Sequence, residues 1–89
     1  MKVRDDIRKI TMYKTSFCAD CKRAEIFFEK YRIEYVPVNI DDDETAATLV
    51  MELNNGNRTV PTIVIDFKDD VDKILVEPGF DELEEVFLV

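Results

Sequence analysis

The run Pro61-Thr62-Ile63-Val64-Ile65 does most to limit what this chain can become. It is nearly continuous, apolar and β-branched, the pattern of a strand covered on both faces. Such a strand belongs in the centre of a sheet and needs material packed above and below it. With 89 residues available, there is room for one domain with a small regular core, and residues 1–89 are read as a single domain.

The rest of the chain supplies the other elements. Ile10-Thr11-Met12-Tyr13 fits a short strand, with Tyr13 in the core. From Cys21, the residues Ala24, Phe27, Phe28 and Tyr31 recur at helical spacing, with Lys22, Glu25 and Glu29 off that stripe. Tyr35 to Ile40 reads as a strand, and Pro37, which has no N–H to donate, assigns it to a sheet edge. Asp41 to Glu44 suit the positive end of a helix dipole, Ala46, Leu49, Val50 and Leu53 form the stripe that follows, and Asn54-Asn55-Gly56 supplies a left-handed stop. Lys73 to Val76 gives a fourth strand. Phe80, Leu83, Val86 and Phe87 mark a last helix, with Asp81 as its N-cap and Glu84 completing an Asp version of the capping box. The order β-α-β-α-β-β-α predicts an α/β fold: a parallel βαβ unit, then a hairpin and a helix, forming a four-stranded mixed sheet with three helices on both faces.

Charge and cysteine usage narrow the function. The net charge is -8, with nine basic and six acidic residues in 1–40 against three and fourteen in 41–89. That balance disfavours a phosphate backbone, so no nucleic-acid partner is expected. No apolar run approaches the roughly 18 residues needed to cross a bilayer, and no membrane association is expected. Residues 1–9 alternate charge with single apolar positions and hold no signal-peptide core, which makes the cytoplasm the expected location; a monomer is the expected state. Two cysteines are too few for a disulfide scaffold, and in that compartment paired thiols are more often catalytic or metal-binding.

Cys18-Ala19-Asp20-Cys21 falls at the turn from the first strand into the first helix. Thiols at this spacing lie within one turn and can close a small disulfide. They are inequivalent: Cys18 meets the unpaired N–H groups and positive dipole end that favour a thiolate, whereas Cys21 shares the apolar stripe. Cys18 is therefore the expected nucleophile and Cys21 the resolving thiol. A metal site is the competing use of the pair, but zinc normally takes four ligands and the chain has no His and no other Cys. Carboxylates or a second chain would have to complete a zinc site, or two chains could share a zinc ion or iron–sulfur cluster through four thiolates, and no metal ligand is assigned. Phe17, in the loop before Cys18, is a candidate contact surface for a partner protein, and Arg58 could meet a carboxylate of a thiol ligand.

Tyr13-Lys14-Thr15-Ser16-Phe17-Cys18-Ala19-Asp20-Cys21, then Thr59-Val60-Pro61, then Gly79-Phe80-Asp81, resembles a glutaredoxin of the thioredoxin fold from Ile10 onward. Thr15-Ser16-Phe17-Cys18 and Gly56-Asn57-Arg58-Thr59-Val60-Pro61-Thr62 look most like the mycoredoxin branch. The resemblance implies a thiol–disulfide oxidoreductase that reduces protein disulfides or low-molecular-weight mixed disulfides. It implies no bound cofactor, and electrons from mycothiol, glutathione or a thioredoxin reductase. A redoxin that feeds ribonucleotide reductase from thioredoxin reductase is the alternative within the class. By the same resemblance Pro61 is a cis proline facing the cysteines, and Thr59 and Val60 border a substrate strand, with Val60 offering its backbone polar groups. Gly79, Phe80 and Asp81 then match the segment that holds the γ-glutamyl end of glutathione. The chain departs from the pattern in carrying Thr15 where glutaredoxins place a lysine, with Lys14 one position earlier, and Glu77-Pro78-Gly79 in place of a double glycine.

Overall fold

A computed structural model describes residues 2–89. The elements follow in the predicted order: β1 (Ile7–Lys14), α1 (Ala19–Lys30), β2 (Val36–Asn39), α2 (Glu44–Leu53), β3 (Thr62–Phe67), β4 (Lys73–Val76) and α3 (Phe80–Phe87). The sheet order is β2-β1-β3-β4, with β1 parallel to β2 and the other two pairs antiparallel. Both β1 and β3 are therefore interior strands, and β2, with Pro37 in it, lies on the edge as predicted.

Strand alternation divides the core in two. Ile10 and Met12 of β1, Ile63 and Ile65 of β3 and Leu75 of β4 point to one face, where Ala24, Phe27 and Phe28 of α1 and Leu83, Val86 and Phe87 of α3 cover them. Phe28 stands edge-on to Phe87 at 5.4 Å between ring centres and 4.8 Å from Tyr35. On the opposite face Tyr13, Val38 and Val60 pack against Ile40, Ala46, Ala47 and Val50.

Four expectations are corrected. Leu49 is exposed, and Ala47 takes its place in the buried stripe of α2, because two successive alanines let the helix lie close to the sheet. The second face of β3 is only partly covered: α2 packs over the β1–β2 half, leaving Val64 half-buried and Ile74 and Val76 exposed. Asp81 does not cap α3. Gly79 occupies the N-cap without a side-chain bond, and Leu83 N–H donates to its carbonyl at 3.1 Å. Glu77, in the left-handed region at φ 47°, turns the chain so that helical hydrogen bonding begins two residues earlier, and Asp81 falls in the first turn beside the positive dipole end. β1 is also longer than its apolar core suggested, since Ile7 pairs with Phe67 across a register shift between Ile7 and Lys9.

Candidate active site

Cys18 is the N-cap of α1, extended at φ -143° and ψ 106°, and its sulfur accepts the Cys21 backbone N–H at 3.0 Å. A thiol sulfur thus fills the place that a Ser or Asp oxygen takes in most caps. Cys21, one turn on, is 1% exposed. The two are joined in a disulfide with Cα atoms 5.2 Å apart.

The turn before β3 comes up to this disulfide. Val60–Pro61 is a cis peptide bond, and the Val60 carbonyl oxygen lies 3.8 Å from Cys18 Sγ. A disulfide sulfur carries no proton, so this is a contact in the oxidised protein; the reduced thiol could donate to the same oxygen. Two residues that sequence reasoning missed hold the turn. Thr62, fully buried, donates its hydroxyl to the Thr59 carbonyl at 2.8 Å and accepts from the Asn54 side chain at 3.1 Å. Asn54 in turn donates to Val50 O at 2.8 Å, tying the turn to the end of α2. The signal was present: a hydroxyl inside a run otherwise apolar must find partners if the strand is buried. From the other side Glu77 N–H donates to Pro61 O at 2.9 Å, which joins the segment before Gly79 to the same turn.

Val60 is thus brought against Cys18, with Thr59 and Pro61 on either side of it in the turn. Phe17, next to Cys18, is 100% exposed. Arg58 is turned away from the sulfurs toward Asp41, 3.0 Å from its carboxylate. Phe80 is half-exposed and borders a shallow depression with Ile26, Phe27 and Lys30 of α1, while Gly79 and Asp81 form the start of α3. Lys14 is ion-paired with Glu25 of α1, and Arg23 with Asp20, in both cases among partly buried side chains. A groove of about 550 Å³ between α2 and the β1–β2 edge is lined by Tyr13, Val38 and Leu49 among others and includes neither cysteine.

A family model described as Glutaredoxin matches residues 10–69. The chain belongs to the glutaredoxin family. Its activity is accordingly that of a thiol–disulfide oxidoreductase, with Cys18 and Cys21 as the redox-active pair of the CxxC motif. Among relatives of this glutaredoxin, Putative glutaredoxin MT3292 of Mycobacterium tuberculosis is 39% identical over 75 residues, which is 84% of each chain. Mycoredoxin 1 of Corynebacterium glutamicum is 35% identical over 54 residues, covering 61% of this chain and 66% of that protein. The fold is shared with the holo form of glutaredoxin C1 from Populus tremula x tremuloides, with a TM-score of 0.55 at 18% identity over 85% of this chain and 70% of that one.

Proposed function

We propose that residues 1–89 form one cytoplasmic, monomeric glutaredoxin domain that reduces protein disulfides or low-molecular-weight mixed disulfides, with Cys18 as nucleophile and Cys21 as resolving thiol. The observation that carries this reading is the asymmetry of the pair: Cys18 at the N-cap, its sulfur at a backbone N–H and beside Val60 O, and Cys21 buried one turn further on. The helix terminus favours a thiolate at Cys18. That thiolate attacks one sulfur of the substrate disulfide, a new S–S bond forms, and the other substrate sulfur leaves as a thiolate. Cys21, losing its proton to solvent, then attacks the Cys18 sulfur and releases the second substrate thiolate. Two electrons pass from the dithiol to the substrate, and the protein is left with the Cys18–Cys21 disulfide. An external thiol or a reductase returns the two electrons. Thr59 and Val60 border the strand along which a peptide would lie, Phe17 and Arg58 flank it, and Gly79, Phe80 and Asp81 belong to the ligand end only through the Glu77–Pro61 link.

The charges around the site bear on the electron source. A charge-assisted hydrogen bond contributes about 1.5–3 kcal/mol, and the cations that could meet a glutathione carboxylate, Lys14 and Arg58, are each engaged by an acid. A carboxylate-poor thiol such as mycothiol, the thiol for which the mycoredoxin branch is named, fits better than glutathione. The full exposure of Phe17 favours a second source, a thioredoxin reductase docking on Phe17 and the Val60 edge. Steady-state turnover of a mixed disulfide with glutathione, mycothiol and thioredoxin reductase, each with its recycling system, separates these. Mycothiol or the reductase is expected to exceed glutathione by about ten-fold or more; glutathione turnover matching a dithiol glutaredoxin assayed alongside would overturn the assignment of electron source.

A further inference from the structure

Four cations on the segments around the thiols each have a carboxylate beside them. Lys14 meets Glu25, Lys22 lies 4.0 Å from the same carboxylate, Arg23 meets Asp20 and Arg58 meets Asp41. Of these, Arg58 alone is on the turn that reaches Cys18, two residues before Val60. Its partner is itself fixed. Asp41 N–H donates to Asn39 Oδ1 at 2.9 Å, and Asn39 Nδ2 donates to Ser16 Oγ at 3.0 Å. Ser16, Asn39, Asp41 and Arg58 therefore form a continuous polar chain from two residues before Cys18 to two residues before Val60, so Asp41 is held where it can keep Arg58.

We propose that Asp41 is a specificity-determining residue for the thiol ligand: its carboxylate occupies Arg58 and removes the cation that a carboxylate-bearing thiol would use on approaching Cys18. This inference rests on the thiol-exchange reading of the site. A ligand carboxylate arriving beside Val60 meets a neutral pair instead of a positive charge, and must either displace Asp41 or remain unpaired. A ligand without carboxylates loses nothing. Both members of the pair are about half exposed, so it contributes little to folding, and substituting it leaves a folded protein to measure.

The test uses two probes that differ at the carboxylates: a fluorescent peptide carrying glutathione through a mixed disulfide, and the same peptide carrying glutathione diethyl ester, whose carboxylates are neutral. Pre-reduced protein, freed of reductant, is mixed with each probe, and the second-order rate of peptide-thiol release is recorded. The readout is the acid-to-ester rate ratio. It is expected to rise about five-fold in Asp41→Asn, the size an exposed ion pair can supply. It is expected to fall back when Arg58→Ala is added, to stay low in Asp41→Glu, and to be unmoved in Asp42→Asn, which removes the same charge from the same loop. An unmoved ratio in Asp41→Asn, or an equal rise in Asp42→Asn, overturns the role of Asp41 while leaving the thiol-exchange reading intact. If the unsubstituted protein releases thiol from neither probe, that reading falls and the specificity argument falls with it.

Discussion

Cys18 and Cys21 share one helical turn and meet different surroundings, a half-buried helix start against the core. Cys18→Ser is expected to abolish disulfide reduction, because the remaining thiol is buried. Cys21→Ser is expected to trap a mixed disulfide on Cys18 and to keep some activity on small mixed disulfides; mass spectrometry after incubation with a disulfide substrate reads both outcomes. Asp20 modifies this asymmetry less than its place beside the nucleophile suggests, since Arg23 reaches back across the turn to pair with it. The two are therefore expected to act as a matched set. Asp20→Asn should speed iodoacetamide labelling of Cys18 at neutral pH and Arg23→Ala should slow it, each by about two-fold, the size of a solvated charge near a helix end. Changes of the same sign in both variants would show that local packing, not charge, governs the thiolate.

The turn between α2 and β3 shows how one element places another's chemistry. Val60 reaches Cys18 because Thr62 and Asn54 bind the turn to the end of α2 and Glu77 N–H binds it to the end of β4. Thr62→Val keeps the shape and removes the hydroxyl, leaving the Thr59 carbonyl without that donor. It is expected to lower unfolding free energy by about 1–3 kcal/mol in urea titrations, and to slow Cys18-dependent exchange by displacing Val60. An unchanged midpoint would mean that water replaces the hydroxyl. α1 ends on a comparable device without glycine: Arg32 adopts φ 54°, Ile33 N–H donates to Phe28 O at 2.8 Å and Arg32 N–H to Glu29 O at 3.2 Å, a Schellman motif with arginine at the left-handed position. No residue type announces that stop, which is why the stripe ending at Tyr31 was legible and the capping geometry was not.

Over the whole molecule, the two ends of the chain close on each other. Val3 bridges to Leu88, Arg4 N–H donates to Phe87 O at 2.9 Å, and the Arg4 guanidinium donates to Val86 O at 3.1 Å while lying 4.6 Å over the Phe67 ring. The same guanidinium donates to both Asp6 carboxylate oxygens, at 2.6 and 2.7 Å, and these hydrogen bonds hold that carboxyl below its usual range. A depressed folded value means the contribution is present above the ordinary carboxylate pKa and is lost as pH falls through the folded one. Arg4→Ala is expected to cost about 1 kcal/mol at neutral pH through the lost hydrogen bond and ring contact, a fall of roughly 4–8 °C in Tm for a domain of this size. It should also flatten the acid limb of the stability curve below pH 5. An acid limb identical to that of the unsubstituted protein would remove Asp6 from the account. At the alkaline end burial raises the Tyr35 phenol above its usual value, so the stability tied to its neutral form is lost as pH rises through that folded value.

Periodicity determined the element order and the inward stripes of α1 and, apart from the exposed Phe80, of α3, because each depends on which residues must leave water, and the missing N–H of Pro37 determined the edge position of β2. The helix start likewise made Cys18 and Cys21 unequal before any fold was known. Tertiary structure alone decided the partners. That Val60 O approaches Cys18, that Arg58 turns to Asp41 and that Lys14 turns to Glu25 all depend on segments apart in sequence, and Gly79 rather than Asp81 begins α3 through the left-handed turn at Glu77. The physical reason is that burial is a property a residue carries through its own apolar area, whereas an ion pair or a turn contact exists only when packing of the core has brought two particular groups within reach.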